Sequence, residues 1–260
     1  MTNPEPNATP DPSAPISEDE RVERELRRRS RRGFLTAMLA GAAAYGGWRW
    51  LMTRPAIGDV PWPIRKMLQF NERVTGKLVS PNHRSREVPA ATITAGGPRI
   101  NGDIGLESDM ELEQWRLQVA GTNLALRMED LLALPAVTET IPLNCVEGWT
   151  TVARWTGIRL ADFADKFYPA ARKKAYVGMV TPNGQYYVGL DAPSAFHPQT
   201  LLCYAINNEP LTMAHGAPLR LLIPTKYGFK NLKCIGSIQF TNERPRDYWA
   251  EQGYDWFAGL

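Results

Sequence analysis

The chain has 260 residues, 43% hydrophobic and 22% charged, an ordinary globular balance that suits one folded domain of about 200 residues behind a leader. Seven arginines, Arg21, Arg24, Arg27, Arg28, Arg29, Arg31 and Arg32, crowd the leader, where Glu5, Asp11, Glu18, Asp19, Glu20, Glu23 and Glu25 offset their charge. The rest of the chain is close to neutral, which excludes the basic stripe of a nucleic-acid binder.

Residues 2–15 are rich in Pro, Asn, Thr and Ala and bury too little apolar surface to fold. Residues 17–32 alternate Glu and Arg and suit a surface helix; the stretch 1–32 as a whole is expected to be a disordered basic leader. Ser30-Arg31-Arg32-Gly33-Phe34-Leu35 then places two arginines before the uncharged run 33–48. That order is the pattern of a twin-arginine (Tat) export signal, and it predicts a periplasmic protein that is exported folded, often with a cofactor inside. The run is long for a signal core and short for a spanning helix, although snorkelling of Arg49 would extend it to Met52. Residues 33–53 therefore read either as a signal cleaved after Ala44 or as an uncleaved anchor in the inner membrane. Residues 54–97 contain several prolines and little periodicity, and are expected to be an extended arm or linker laid on a domain spanning 98–260.

Within that domain the elements are short. Alternation of Trp115, Leu117 and Val119 predicts a strand, and 128–134 a helical turn stopped by Pro135. Residues 137–143 read as a strand leading into Asn144-Cys145, and 158–167 have helical spacing. Pro182-Asn183-Gly184-Gln185 predicts a hairpin between 176–180 and 186–190. Further strands are expected at 201–206, 219–223 and 235–240, with a turn at Asn207-Asn208-Glu209-Pro210. Strands with interspersed short helices indicate an α+β fold with mixed sheets.

Three segments could carry chemistry. Cys145 follows a strand and precedes a turn at Gly148. It suits a small buried hydrophobe, a nucleophile, or a single thiolate ligand to a soft metal whose other ligands come from a cofactor. His215-Gly216-Ala217-Pro218-Leu219-Arg220 offers an arginine fork suited to phosphate, against a satisfied histidine and a surface salt bridge. Lys226-Tyr227-Gly228-Phe229-Lys230-Asn231-Leu232-Lys233 is an anion-binding loop or a solvated charged loop. Cys145, Cys203 and Cys234 show no CxxC, haem-attachment or zinc spacing, so no haem is expected in this chain.

These segments together resemble the sulfite-oxidase superfamily of molybdopterin enzymes. The resemblance rests on Asn144-Cys145-Val146-Glu147-Gly148-Trp149 followed by Trp155-Thr156-Gly157, then His197-Pro198-Gln199-Thr200-Leu201-Leu202, then Asn208-Glu209-Pro210-Leu211, and finally the Gly216–Arg220 and Lys226–Lys230 segments. Their order and spacing are closest to the bacterial, twin-arginine-exported branch that includes the periplasmic methionine-sulfoxide reductase catalytic subunits. The resemblance implies a sulfite-oxidase-type fold and molybdenum-molybdopterin as cofactor. It makes Cys145 the metal ligand, Glu147 an acid close to the metal, and Asn101, Thr181, His215, Arg220, Asn231 and Lys233 the cofactor contacts. His215 stands where the methionine-sulfoxide reductases have Asn and the sulfite oxidases His-Gly. The expected reaction is oxygen-atom transfer: reduction of an S- or N-oxide, or oxidation of a sulfite-like substrate. The expected partners are that small molecule and a membrane b-type or soluble c-type cytochrome. No dimerisation domain follows the last strand, so a monomer is expected. Two other readings stay open from the residues alone. One is a cysteine-dependent hydrolase pairing Cys145 with His197 or His215. The other is a membrane-tethered binding module whose contact surface is the aromatic tail Tyr248-Trp249 to Tyr254-Asp255-Trp256-Phe257.

Overall fold

A computed structural model describes residues 17–106 and 110–260. The expected disorder of 2–15 lies outside those residues. The chain divides into two units, Met1–Arg54 and Pro55–Leu260.

The described part of the first unit is one helix, α1 (Glu18–Met52). Ser17 caps it by accepting from Glu20 N, three acids occupy its first turn, and Glu23–Arg27 and Glu25–Arg29 pair across one turn. Such caps and i,i+4 pairs are what a solvated helix uses. Helix α1 is the surface helix expected of 17–32, and it corrects the broader expectation of disorder from Glu18 onward. Among the described residues no helix is long and apolar enough to cross a membrane, so the structure does not support a spanning anchor at 33–53.

The second unit opens with a two-stranded ribbon, β1 (Ala56–Ile57) and β2 (Val60–Pro61), and a helix, α2 (Trp62–Leu78). This helix corrects the expectation of an extended arm over 54–97. Pro63 does not break it, because proline is tolerated in a first turn whose N–H groups have no partner. The rest of the arm is extended and tied down: Val88 N–H donates to Thr140 O, and Thr94 exchanges bonds with Val152.

Two five-stranded sheets form the body. The first contains β3 (Leu117–Val119), β4 (Ala125–Leu126), β7 (Tyr176–Val180), β8 (Tyr187–Asp191) and β12 (Ser237–Thr241), in the order β4-β3-β12-β7-β8. It is mixed, since β12 runs parallel to β3 and antiparallel to β7. The second contains β5 (Ala136–Asn144), β6 (Thr150–Arg159), β9 (Leu201–Ile206), β10 (Glu209–Pro210) and β11 (Arg220–Leu222). Here β10-β9-β6-β5 are antiparallel neighbours and β11 also pairs with β9. Pro142 is accommodated because β5 is an edge strand of its sheet. Helices α3 (Met128–Leu132), α4 (Leu160–Phe167), α5 (Ala192–Ala195) and α6 (Tyr248–Glu251) complete the fold, an α+β architecture with a mixed sheet.

Apolar side chains cover both faces of the second sheet. Ile158, Leu202 and Leu221 join the larger core with Leu117, Met179, Leu190 and Ile238. Ile141, Leu143, Trp155, Cys203 and Leu222 form a smaller core on the opposite face. That second face positions the site.

Candidate active site

Strand periodicity sends Ile141 and Leu143 to the smaller core, and Cys145 continues the same alternation one step beyond the end of β5. On β11, Arg220 and Leu222 take that face while Leu221 takes the other. The thiol and the guanidinium thus come to one side of one sheet. A tight turn fixes Cys145: its N–H donates to Trp149 O, its carbonyl accepts from Gly148 N, and Gly148 adopts φ 84°, a conformation that a side chain would strain. Gly228 closes over this turn, where an added Cβ would lie 3.4 Å from Asn144 O.

A cavity of about 220 Å³ opens here, and its walls include Asn101, Cys145, Glu147, Arg220, Asn231 and Lys233. Six of the eight expected site residues therefore share one space. His215 sits behind them, its carbonyl accepting from Arg220 Nη1 at 3.1 Å. Thr181 is not brought to this cavity. Its hydroxyl is used inside its own hairpin loop, bonded to Asn183 and Tyr186, and it faces a separate groove with Met110, Trp115 and Gly236.

Charge is distributed unevenly around the cavity. Arg220 is 3% exposed, stacks 5.1 Å over Trp155, and has no carboxylate partner among the described residues. Burial lowers its pKa to about 10. Its Nε and the Nδ1 of His215 are buried without a hydrogen-bond partner among the described residues. Lys233 donates to the carbonyls of Asn101, Gly102 and Ala214, each at 2.9 Å, and burial followed by repulsion from Arg220 brings it down to about 8. Asn231 is held by Ile223 N–H, which donates to its Oδ1. At the mouth, Glu147 accepts from Trp149 Nε1 at 2.8 Å. That bond, then one from Asn101, then the charge of Arg99 keep its carboxyl below the usual range. The amide Nδ2 of Asn101 also points at Cys145 Sγ, 4.0 Å away.

The three lysines of the 226–233 loop have different fates. Lys230 is fully buried, 2.5 Å from Asp247 and 3.0 Å from Gly189 O. Lys226 is 2% exposed against Phe257, with Asp191 3.6 Å away. Neither is solvated and neither lines the cavity; only Lys233 does. The aromatic tail is divided too: Trp256 is buried, while Trp249 and Tyr254, their rings 5.2 Å apart, join Phe229 and Trp149 as cavity walls. The sequence alone offers this tail as the contact surface of a binding module, and contacts across the chain reveal two of its rings as cavity walls. The cysteine–histidine pairing does not form among the described residues. His197 Nδ1 accepts from Gln199 N, and His215 faces Arg220 and Lys233.

An orphaned, buried guanidinium nitrogen beside a second cation and one accessible thiol fits a cofactor with an anionic tail and a soft-metal end. Residues 104–249 match the family described as Oxidoreductase molybdopterin binding domain. The chain belongs to this family. It is a molybdopterin-binding oxidoreductase of the sulfite-oxidase superfamily. Among its relatives, a protein of Azospira oryzae provisionally named as the protein-methionine-sulfoxide reductase subunit YedZ1 is 34% identical over 231 residues, 86% of this chain and 87% of that one. The protein-methionine-sulfoxide reductase catalytic subunit MsrP of Xanthomonas campestris pv. campestris is 36% identical over 157 residues, 54% of this chain and 49% of that one. This chain thus matches about half the length of that catalytic subunit. Among solved structures, the sulfane dehydrogenase SoxCD from Paracoccus pantotrophus aligns with 52% of this chain and 40% of its own at 16% identity, with a TM-score of 0.46.

Proposed function

We propose that the chain is exported by its twin-arginine signal to the periplasm and there reduces a neutral S- or N-oxide, with electrons from a b-type or c-type cytochrome. The observation that carries this reading is the convergence of Cys145, Arg220 and Lys233 on one cavity. Cys145 would hold molybdenum as a thiolate, and Arg220, Lys233, Asn231 and His215 would hold the pterin and its phosphate. When bound, this cofactor supplies a two-electron centre able to exchange an oxygen atom. The balance is one oxide plus two electrons and two protons, giving the reduced compound and water. The chain's own residues bind, orient and manage charge. Trp149, Phe229, Trp249 and Tyr254 seat the organic part of the substrate and exclude water. Glu147 holds a charge, and can hold a proton, at the mouth of the cavity.

Glu147 also favours oxide reduction over sulfite oxidation. A carboxylate kept ionised by Trp149 and Asn101 repels an oxyanion two residues from the thiol. A neutral oxide carries no net charge to repel. The relatives named for methionine-sulfoxide reduction agree with this direction. A dye-linked assay of the purified exported protein against sulfoxides, N-oxides and sulfite tests it. Turnover of an oxide, lost in Cys145→Ser, is expected; turnover of sulfite alone would reverse the assignment.

A further inference from the structure

Helix α2 carries a surface that the active site does not use. At about 100° per residue, Arg65, Glu72 and Gly76 share a narrow arc, and that arc faces the C-terminal segment. Arg65 donates to the carbonyls of Ala250 and Glu251, Glu72 accepts from Arg244, and Gly76 abuts Phe257. Met67, Phe70, Val74 and Leu78 fall within roughly 80° of one another on the opposite side. They are not covered: Met67 is 60% exposed, Phe70 54% and Leu78 79%. Along one edge of this stripe run Lys66, Arg73 and Lys77, all exposed. Glu72, the one acid of the helix, points the other way into its ion pair.

We propose that this face of α2 is a docking surface for an anionic lipid bilayer, on which the helix lies flat. Two observations select a membrane surface as the occupant. An apolar stripe flanked by cations and free of acids matches the hydrocarbon boundary and the negative headgroups together. The inward face is pinned at both ends of the helix, so the stripe cannot turn inward and is presented as a fixed outer face. This lying-flat mode is separate from a spanning anchor and independent of the proposed chemistry. It would keep the catalytic domain at the bilayer that also houses a membrane electron donor.

The test uses the intact, purified chain with vesicles, reading lysine acetylation and methionine oxidation residue by residue by mass spectrometry. Site-resolved labelling matters because the arginine-rich α1 can bind anionic lipid by itself. Vesicles of phosphatidylglycerol mixed with phosphatidylcholine should protect Lys66, Lys77 and Met67, leave exposed Lys173 unchanged, and lose the effect in high salt. Pure phosphatidylcholine should protect little. In Lys66→Glu/Arg73→Glu/Lys77→Glu, checked for folding by circular dichroism, protection of Met67 should weaken by at least roughly fivefold per reversed charge. The proposal is overturned if anionic vesicles leave the labelling unchanged, if both lipids protect equally, if Met67 stays protected in the triple variant, or if these residues are already protected without lipid.

Discussion

Replacing Arg220 by methionine should weaken cofactor binding while leaving folding nearly unchanged. Burial pulls the pKa of Arg220 well below the ordinary guanidinium value, to about 10, which means that burying this charge costs on the order of 3 kcal/mol at neutral pH. Stacking over Trp155 returns up to about 2 kcal/mol, and methionine forfeits the cationic part of it. The bond to His215 O returns about 1.5 kcal/mol more, so cofactor-free Arg220→Met should be within about 1 kcal/mol of the parent. Cofactor binding should weaken, because charge-assisted hydrogen bonds to a phosphate are worth about 1.5–3 kcal/mol. That predicts roughly a 10- to 100-fold loss of affinity. Denaturant melts of cofactor-free protein, with pterin content measured at limiting cofactor supply, report both quantities. A variant that loses several kcal/mol of stability yet fills normally would show that Arg220 is a packing residue and refute the reasoning.

Three further outcomes follow from the same geometry. Lys233 has its folded pKa near 8 and is charged below that value. Cofactor reconstitution should therefore weaken as pH rises from about 8 toward 10, and Lys233→Met should remove most of that dependence. Gly148→Ala meets no steric neighbour but forces φ 84° on a residue with a Cβ. A loss of about 1–2 kcal/mol in thermal melts is expected, with a larger drop in turnover because Cys145 shifts with the turn. Asp247→Ala strands the fully buried Lys230 and should cost about 3–5 kcal/mol. A neutral result there would mean that Lys230 is deprotonated in the fold.

Local signals foretold local structure well. The Asn183-Gly184 turn marked the β7–β8 hairpin, and Leu201–Ile206 forms the strand expected of it. Asn207 and Asn208, both at positive φ, make the expected turn between β9 and β10. Strand β6 escaped notice because its alternation, with Thr151, Ala153 and Trp155 inward, shifts register at Thr156/Gly157. Helix α2 escaped because Pro63 reads as a breaker, although Met67, Phe70, Val74 and Leu78 recur at helical spacing. At the site, Cys145 and Arg220 were legible as chemistry, and their shared sheet face follows from strand period. What tertiary contacts alone decide is which lysine of the 226–233 loop reaches the cavity. Lys230 and Lys226 are claimed by Asp247 and Asp191, carboxylates distant in sequence.

The most direct test of the central claim is X-ray absorption at the molybdenum edge, comparing exported wild-type protein with Cys145→Ser. The account predicts molybdenum in both preparations, with the variant losing one sulfur from the metal's coordination while pterin content is unchanged. Identical sulfur coordination in the two proteins, or no molybdenum in the wild type, would contradict it.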